Sequence, residues 1–106
     1  MIKSIKWSKR AEMAYGHIID YVADEFGTPR ARKYISDVEK EVNKLKKNPT
    51  LGQQEPWLAG SRYEFRRLVI GQWTKVIYRV AGDCIEIADV WDVRQDPETL
   101  VARFEH

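Results

Sequence analysis

The sequence predicts an α+β fold in the order β-α-α-β-β-β with a terminal helix: an antiparallel sheet packed against a long helical hairpin. Two observations predict it. The stretch from Tyr63 to Val93 reads as three β-rich runs, YEFRRLVIG, QWTKVIYRVAGD and CIEIADVWDV, broken at Gly71 and at Ala81-Gly82-Asp83. Val, Ile, Tyr, Phe and Trp favour strands, and the Gly-containing breaks are reversal signals, so the three runs form an antiparallel meander. Ahead of them, two apolar stripes recur at the three- and four-residue spacing of a helix. A join of about two residues between those helices folds them back on one another.

Ile2 to Trp7 alternates and reads as a short strand with Ile5 and Trp7 inward. Ser8 follows as the N-cap of a helix from Lys9 to Phe26, since its hydroxyl can take an orphan N–H of the first turn. Ala11, Tyr15, Ile18, Val22 and Phe26 form that helix's stripe, and Gly27 ends it. Gly16 in mid-helix costs about 1 kcal/mol against alanine, and close approach of a neighbouring helix is one reason to tolerate it. Thr28 as N-cap and Pro29 at the first helical position restart the chain. Ala31, Ile35, Val38, Val42 and Leu45 make the second stripe, with Tyr34 alongside. Lys44, Lys46 and Lys47 complement the dipole of its last turn, and Asn48-Pro49 stops it. Asn48 to Ser61 is a long loop in which Trp57-Leu58 is expected to pack back on the domain. After the meander, Asp96-Pro97 caps a terminal helix from Glu98 to Phe104.

A chain of 106 residues, 43% hydrophobic and 32% charged, is expected to be one soluble globular domain spanning 1–106. No apolar run approaches the roughly 20 residues that span a bilayer, and MIKSIKW is too short and polar for a signal peptide. No membrane association is expected. The single cysteine, Cys84, excludes an internal disulfide and fits a reducing, cytoplasmic setting. His17 and His106 lie far apart, so no histidine–cysteine metal cluster assembles. Phosphate-binding glycine loops and nucleophile elbows are absent, and no cofactor is expected.

The meander divides its charge. Arg62, Arg66, Arg67, Lys75 and Arg79 stand against Glu64 alone, and the following stretch to Glu98 holds six carboxylates against Arg94. Antiparallel sheets commonly hide one face and wet the other, so the basic side chains of the first two runs are expected on a wetted surface. Arg66 and Arg67 are adjacent and point to opposite faces, so at most one of them joins Lys75 and Arg79. Gathered cations suit phosphate or carboxylate partners. The plainer alternative is pairing across strands with Glu64 or Glu86, which is ordinary in sheets. Asp89 and Asp92 read as caps or as ion-pair partners of Arg94 and Arg79, and Cys84 as a small buried residue. Trp73, in the turn after Gly71, would anchor a protein partner if exposed.

The order of elements and the local matches resemble the RelE/ParE superfamily of bacterial type II toxins. The matches are Trp7-Ser8 with Ala11, Ile19-Asp20-Tyr21, Phe26-Gly27, Ala31 with Tyr34, Asn48-Pro49 with Gly52, Arg66, Val76 to Val80, and Asp92 to Pro97. They cover nearly the whole chain. The resemblance implies a small toxin that forms a hetero-oligomer with a cognate antitoxin, whose C-terminal segment wraps it. RelE-like members cleave messenger RNA in the ribosome; ParE-like members are not nucleases and poison DNA gyrase. On the nuclease alternative, Arg66 and Lys75 match the strand positions of the RelE-like site and Arg94 its late arginine. These three would stabilise charge at the phosphate, while no tyrosine follows Tyr78 and Asp92 stands where many relatives have histidine. The long hairpin looks ParE-like. The first expectation is therefore a protein that inhibits gyrase by surface contact, through Arg66, Arg67, Lys75, Arg79, Trp73 and Arg94. The second is a ribosome-dependent mRNA endoribonuclease using Arg66, Lys75 and Arg94. A third is an inactive relative kept as an antitoxin-binding partner. The antitoxin is expected in a mostly apolar groove beside the sheet and hairpin, as an amphipathic helix or strand.

Overall fold

The computed structural model describes residues 1–92. Arg94, the expected terminal helix with its Asp96-Pro97 cap, and His106 lie outside the described residues. The chain runs β1 (Ser4–Trp7), α1 (Lys9–Phe26), α2 (Thr28–Asn43), β2 (Gln53–Gln54), β3 (Arg66–Ile70), β4 (Thr74–Ala81) and β5 (Cys84–Asp92). The fold is α+β: two helices and a five-stranded sheet in the order β1-β5-β4-β3-β2. β3, β4 and β5 form the expected antiparallel meander. The sheet is mixed, however, because β1 pairs in parallel with β5. Alternation in Ile2 to Trp7 marks a strand but carries no information about its direction relative to a neighbour. β2, only two residues long, pairs with Arg66 and Arg67 inside what reads in sequence as pure loop.

α1 begins and ends where its caps place it. The Ser8 hydroxyl accepts the Ala11 N–H at 3.0 Å, and the Gly27 N–H closes on the Ala23 carbonyl. Gly27 alone joins the helices: at φ 93° it takes a conformation that suits glycine and also serves as the N-cap of α2, so the cap is not Thr28. α2 buries Ala31, Val38 and Val42, and a 3-10 turn over Lys44–Lys46 carries Leu45 into the core. The α1 stripe is less deeply used. Ala11 is buried, Tyr15, Ile18 and Val22 are half-buried, and Phe26 is exposed, with the Tyr21 ring at its edge and the Arg30 guanidinium over its face.

The helices cover one face of the sheet. There Ala11, Val38, Val42 and Leu45 pack with Leu68, Ile70, Val76, Tyr78, Ile85 and Ile87. The opposite face is only partly wet, because Leu58 and Phe65 from the loop cover Ile77 and Trp91 in a second small core. The expected Trp57-Leu58 contact is thus half correct. Leu58 is buried, while Trp57 is 50% exposed, because the 3-10 turn Pro56–Leu58 points successive side chains apart. A Cβ added at Gly16 would meet nothing within 4 Å, so close helix packing is not the reason for that glycine. Gly16→Ala is expected to stabilise the fold by about 0.5–1 kcal/mol, read as a higher denaturant midpoint.

Among the described residues no helix is long and apolar enough to cross a membrane, and no group of three or more His, Cys, Asp or Glu side chains is placed to hold a metal ion.

Candidate functional site

Strand register decides which cations share a face. Arg66 pairs with Tyr78 and therefore points to the helix side. There its guanidinium donates to the Gly52 carbonyl at 2.8 Å and to Glu64 at 3.0 Å. Arg67, Lys75 and Arg79 point to the opposite face, beside Ile77. The sheet thus separates Arg66 from Lys75, and the two do not converge on one open surface.

Lys75 does not line a wetted surface either: it is 7% exposed, and its ammonium donates to Glu55 at 2.8 Å. Glu55 is 1% exposed. Its other oxygen, buried and without a hydrogen-bond partner among the described residues, lies 3.6 Å from the Arg67 guanidinium, an ion-pair distance. This buried cluster fixes the loop ahead of Leu58 to the sheet. Sequence reasoning missed it, because a carboxylate in a polar loop carries no mark of burial. Asp89 is also fully buried, with one oxygen accepting the Val90 N–H. Cys84 is half-buried.

Arg79 follows the plainer expectation and pairs across the strands with Glu86 at 2.8 Å. Its guanidinium also lies 4.0 Å from the centroid of the Tyr63 ring, with that of Arg62 5.5 Å from the same centroid. Stacking and pairing together hold the planar fork in place. Around it opens a cleft of about 580 Å³, lined by Lys6 of β1, Arg10 of α1, Trp7, Tyr63, Arg79 and Glu86 among others. Glu86 is the one carboxylate lining it among the described residues, so the cleft is basic. Lys6, Arg10 and Tyr63 were not anticipated as site residues. The available signal was Lys6 on a strand at the chain's start, far in sequence from the cationic run.

A second hollow, about 310 Å³, lies on the other side of β1, lined by Ile5, Trp7, Glu39, Val42, Asn43 and Lys46. It sits between the sheet edge and α2, and Trp7 borders both hollows. Trp73 and Val69, by the far end of β4, are 50% and 53% exposed.

Three phenols inside the fold resist ionisation. Burial pushes Tyr15 up to about 12, with Tyr34 and Glu39 nearby adding to the rise. Its hydroxyl has no hydrogen-bond partner among the described residues. Burial also raises Tyr34, whose hydroxyl meets Thr74 at 3.1 Å, and Tyr78, whose hydroxyl donates to the Pro49 carbonyl at 2.8 Å. An acid raised by folding keeps its proton in the native chain after the unfolded chain has released it. This contribution to stability is whole below about pH 10, the ordinary phenol value, and is lost as the pH climbs toward about 12. Absorbance titration at 295 nm should show part of the tyrosine signal rising late and together with unfolding.

A family model described as the ParE toxin of type II toxin-antitoxin system, parDE, matches residues 5–97. Twelve solved chains are similar in fold. One of them, from the chromosomal ParDE TA system of P. aeruginosa, has a TM-score of 0.71 and 25% sequence identity, over 87% of this chain and 97% of that one. No curated protein matches in sequence.

Proposed function

Because the chain belongs to the ParE toxin family of type II toxin-antitoxin systems, we propose that it arrests bacterial growth by binding DNA gyrase in the cytoplasm. A cognate antitoxin neutralises it by wrapping around it in a hetero-oligomer. The observation that carries this over RNA cleavage is the state of Lys75, buried in its ion pair with Glu55, with Arg66 on the far side of the sheet. Such cations brace the fold and are poorly placed to act together on one phosphate. The nuclease alternative is therefore not favoured. The surface offered to the target is the face opposite the helices, where Arg67 and Arg79 keep partial exposure, together with the half-exposed Trp73 of the turn between β3 and β4. Arg94, the remaining expected contact residue, lies outside the described residues. The antitoxin reading draws on the hollow between β1 and α2, whose floor of Ile5, Trp7 and Val42 is apolar.

Induced expression without antitoxin tests the reading. Growth arrest with intact transcripts and gyrase-trapped, broken DNA is the expected result. Codon-phased mRNA cleavage would overturn it, and unaffected growth would leave a chain that only binds antitoxin. Charge reversal at Arg79 should weaken the antitoxin complex by about fivefold or more in titration calorimetry, as expected where an acidic segment docks beside it.

A further inference from the structure

We propose that the cleft between β1, the start of α1 and the β4–β5 pair binds a small phosphorylated sugar: a ribose phosphate, free or as part of a mononucleotide. This goes beyond the toxin reading and does not depend on it.

Strand register sets the site. Lys6 pairs with Glu86, and Glu86 with Arg79, so the three side chains stand in one row across β1, β5 and β4, on the face away from the helices. Arg10, from the first turn of α1, borders the same cleft. Among the described residues, three cations line it against one carboxylate, leaving two positive charges. A phosphomonoester carries a charge of about −1.5 to −2 at pH 7 and matches this excess; a single carboxylate does not. The floor is fixed, because the Ser8 hydroxyl accepts the Ala11 N–H and donates to the Ala88 carbonyl at 2.9 Å, tying α1 to β5.

Arg79 is held ready before any ligand arrives. Its Nε donates to Glu86 at 2.8 Å, and its flat face lies 4.0 Å from the Tyr63 centroid. The Tyr63 ring in turn meets Phe65 edge-on, and Phe65 is buried in the small second core. The terminal amino groups of Arg79 make no hydrogen bond among the described residues. A planar fork already fixed loses little freedom on meeting phosphate oxygens. Lys6 is exposed and forms no ion pair among the described residues, although Glu86 stands opposite it in register.

Glu86 supplies the selectivity. One of its oxygens is taken by Arg79, and the other accepts no hydrogen bond among the described residues. A bare anion is repelled by that oxygen, whereas a hydroxyl donates to it. The row therefore favours a ligand that brings phosphate and hydroxyls together. The cleft volume of about 580 Å³ falls in the range of small-molecule sites. A nucleic-acid strand fits less well, because the Tyr63 ring already carries two guanidinium groups and Trp7 stacks on Tyr15 with centroids 5.2 Å apart. Bases would find these aromatic faces taken.

Titration calorimetry on the full chain tests the proposal with four probes: ribose 5-phosphate, AMP, methyl phosphate and ribose. Ribose 5-phosphate should bind one to one, about tenfold more tightly than methyl phosphate, which has the charge without the hydroxyls. Ribose, without the charge, should give no measurable heat. Lys6→Ala should weaken ribose 5-phosphate about fivefold or more, with circular dichroism and melting midpoint unchanged because Lys6 is exposed. Glu86→Ala should shrink the preference for ribose 5-phosphate over methyl phosphate toward unity. In the parent chain, ribose 5-phosphate should shift the backbone amide resonances of Lys6, Arg10, Arg79 and Glu86. AMP binding more tightly than ribose 5-phosphate upholds the site and names a nucleotide as its source; AMP binding equally or more weakly upholds it with a sugar phosphate as the source. Absence of ribose 5-phosphate binding, equal affinity for methyl phosphate, unchanged affinity in Lys6→Ala, an unchanged preference in Glu86→Ala, or amide shifts confined to other parts of the sheet would each overturn the proposal.

Discussion

Glu55→Ala is expected to cost about 3–5 kcal/mol of folding stability, since it strips the buried Lys75 ammonium of the carboxylate to which it donates. The Glu55 side chain has no exposed surface and that of Lys75 is 9% exposed. Water therefore cannot readily solvate the abandoned cation. For a domain of this size the loss corresponds to a fall in melting temperature of roughly 4–8 °C per kcal/mol. It is a large part of a total that rarely exceeds about 15 kcal/mol. The opposite truncation should cost less. Lys75→Met leaves Glu55 beside Arg67, whose side chain keeps 31% of its surface in solvent. The double replacement Glu55→Leu with Lys75→Met should recover much of the loss, because apolar residues of similar volume often match a buried ion pair in stability. Thermal melts of the three variants decide this. Equal costs for the two single changes would mean that the lysine escapes to solvent when its partner is removed.

Gly52→Ala is expected to be the most damaging conservative change in the loop. A Cβ there would overlap the Arg67 carbonyl oxygen and stand 2.8 Å from both the ring and the hydroxyl of Tyr78. Backbone on one side and a fully buried ring on the other leave little to give way. Overpacking alone should cost about 1–3 kcal/mol. The displaced loop would also disturb the bonds from the Gly52 N–H to Tyr78 and from Arg66 to the Gly52 carbonyl, 2.9 and 2.8 Å long. Tyr78→Phe, which removes one hydroxyl without adding bulk, should cost about 1 kcal/mol and remain folded. An unchanged denaturant midpoint in Gly52→Ala would mean that the loop is not seated against β3.

Much of this architecture was readable before any coordinates. Ser8, Gly27 and the stripe between them gave α1 its bounds, because capping and periodicity are local properties of the chain. The meander was legible for the same reason, its reversals falling at Gly71 and Gly82. What failed was non-local. The direction of β1 depends on a strand 80 positions away. β2 is too short to show alternation. The burial of Lys75 depends on Glu55 twenty residues earlier, and neither residue type announces it. The site was less legible than the fold. Adjacency in sequence grouped Arg66 with Arg67, whereas strand register separates them and instead brings Lys6 and Arg10 near Arg79.

The parallel pairing of Ser4–Trp7 with residues 84 to 87 has a consequence for biosynthesis. β1 must wait for β5, some 80 residues later, before it has a neighbour. Until β5 has been translated, the nascent chain carries its β1 segment with no sheet to join, so the parallel edge is a late step of folding on the ribosome.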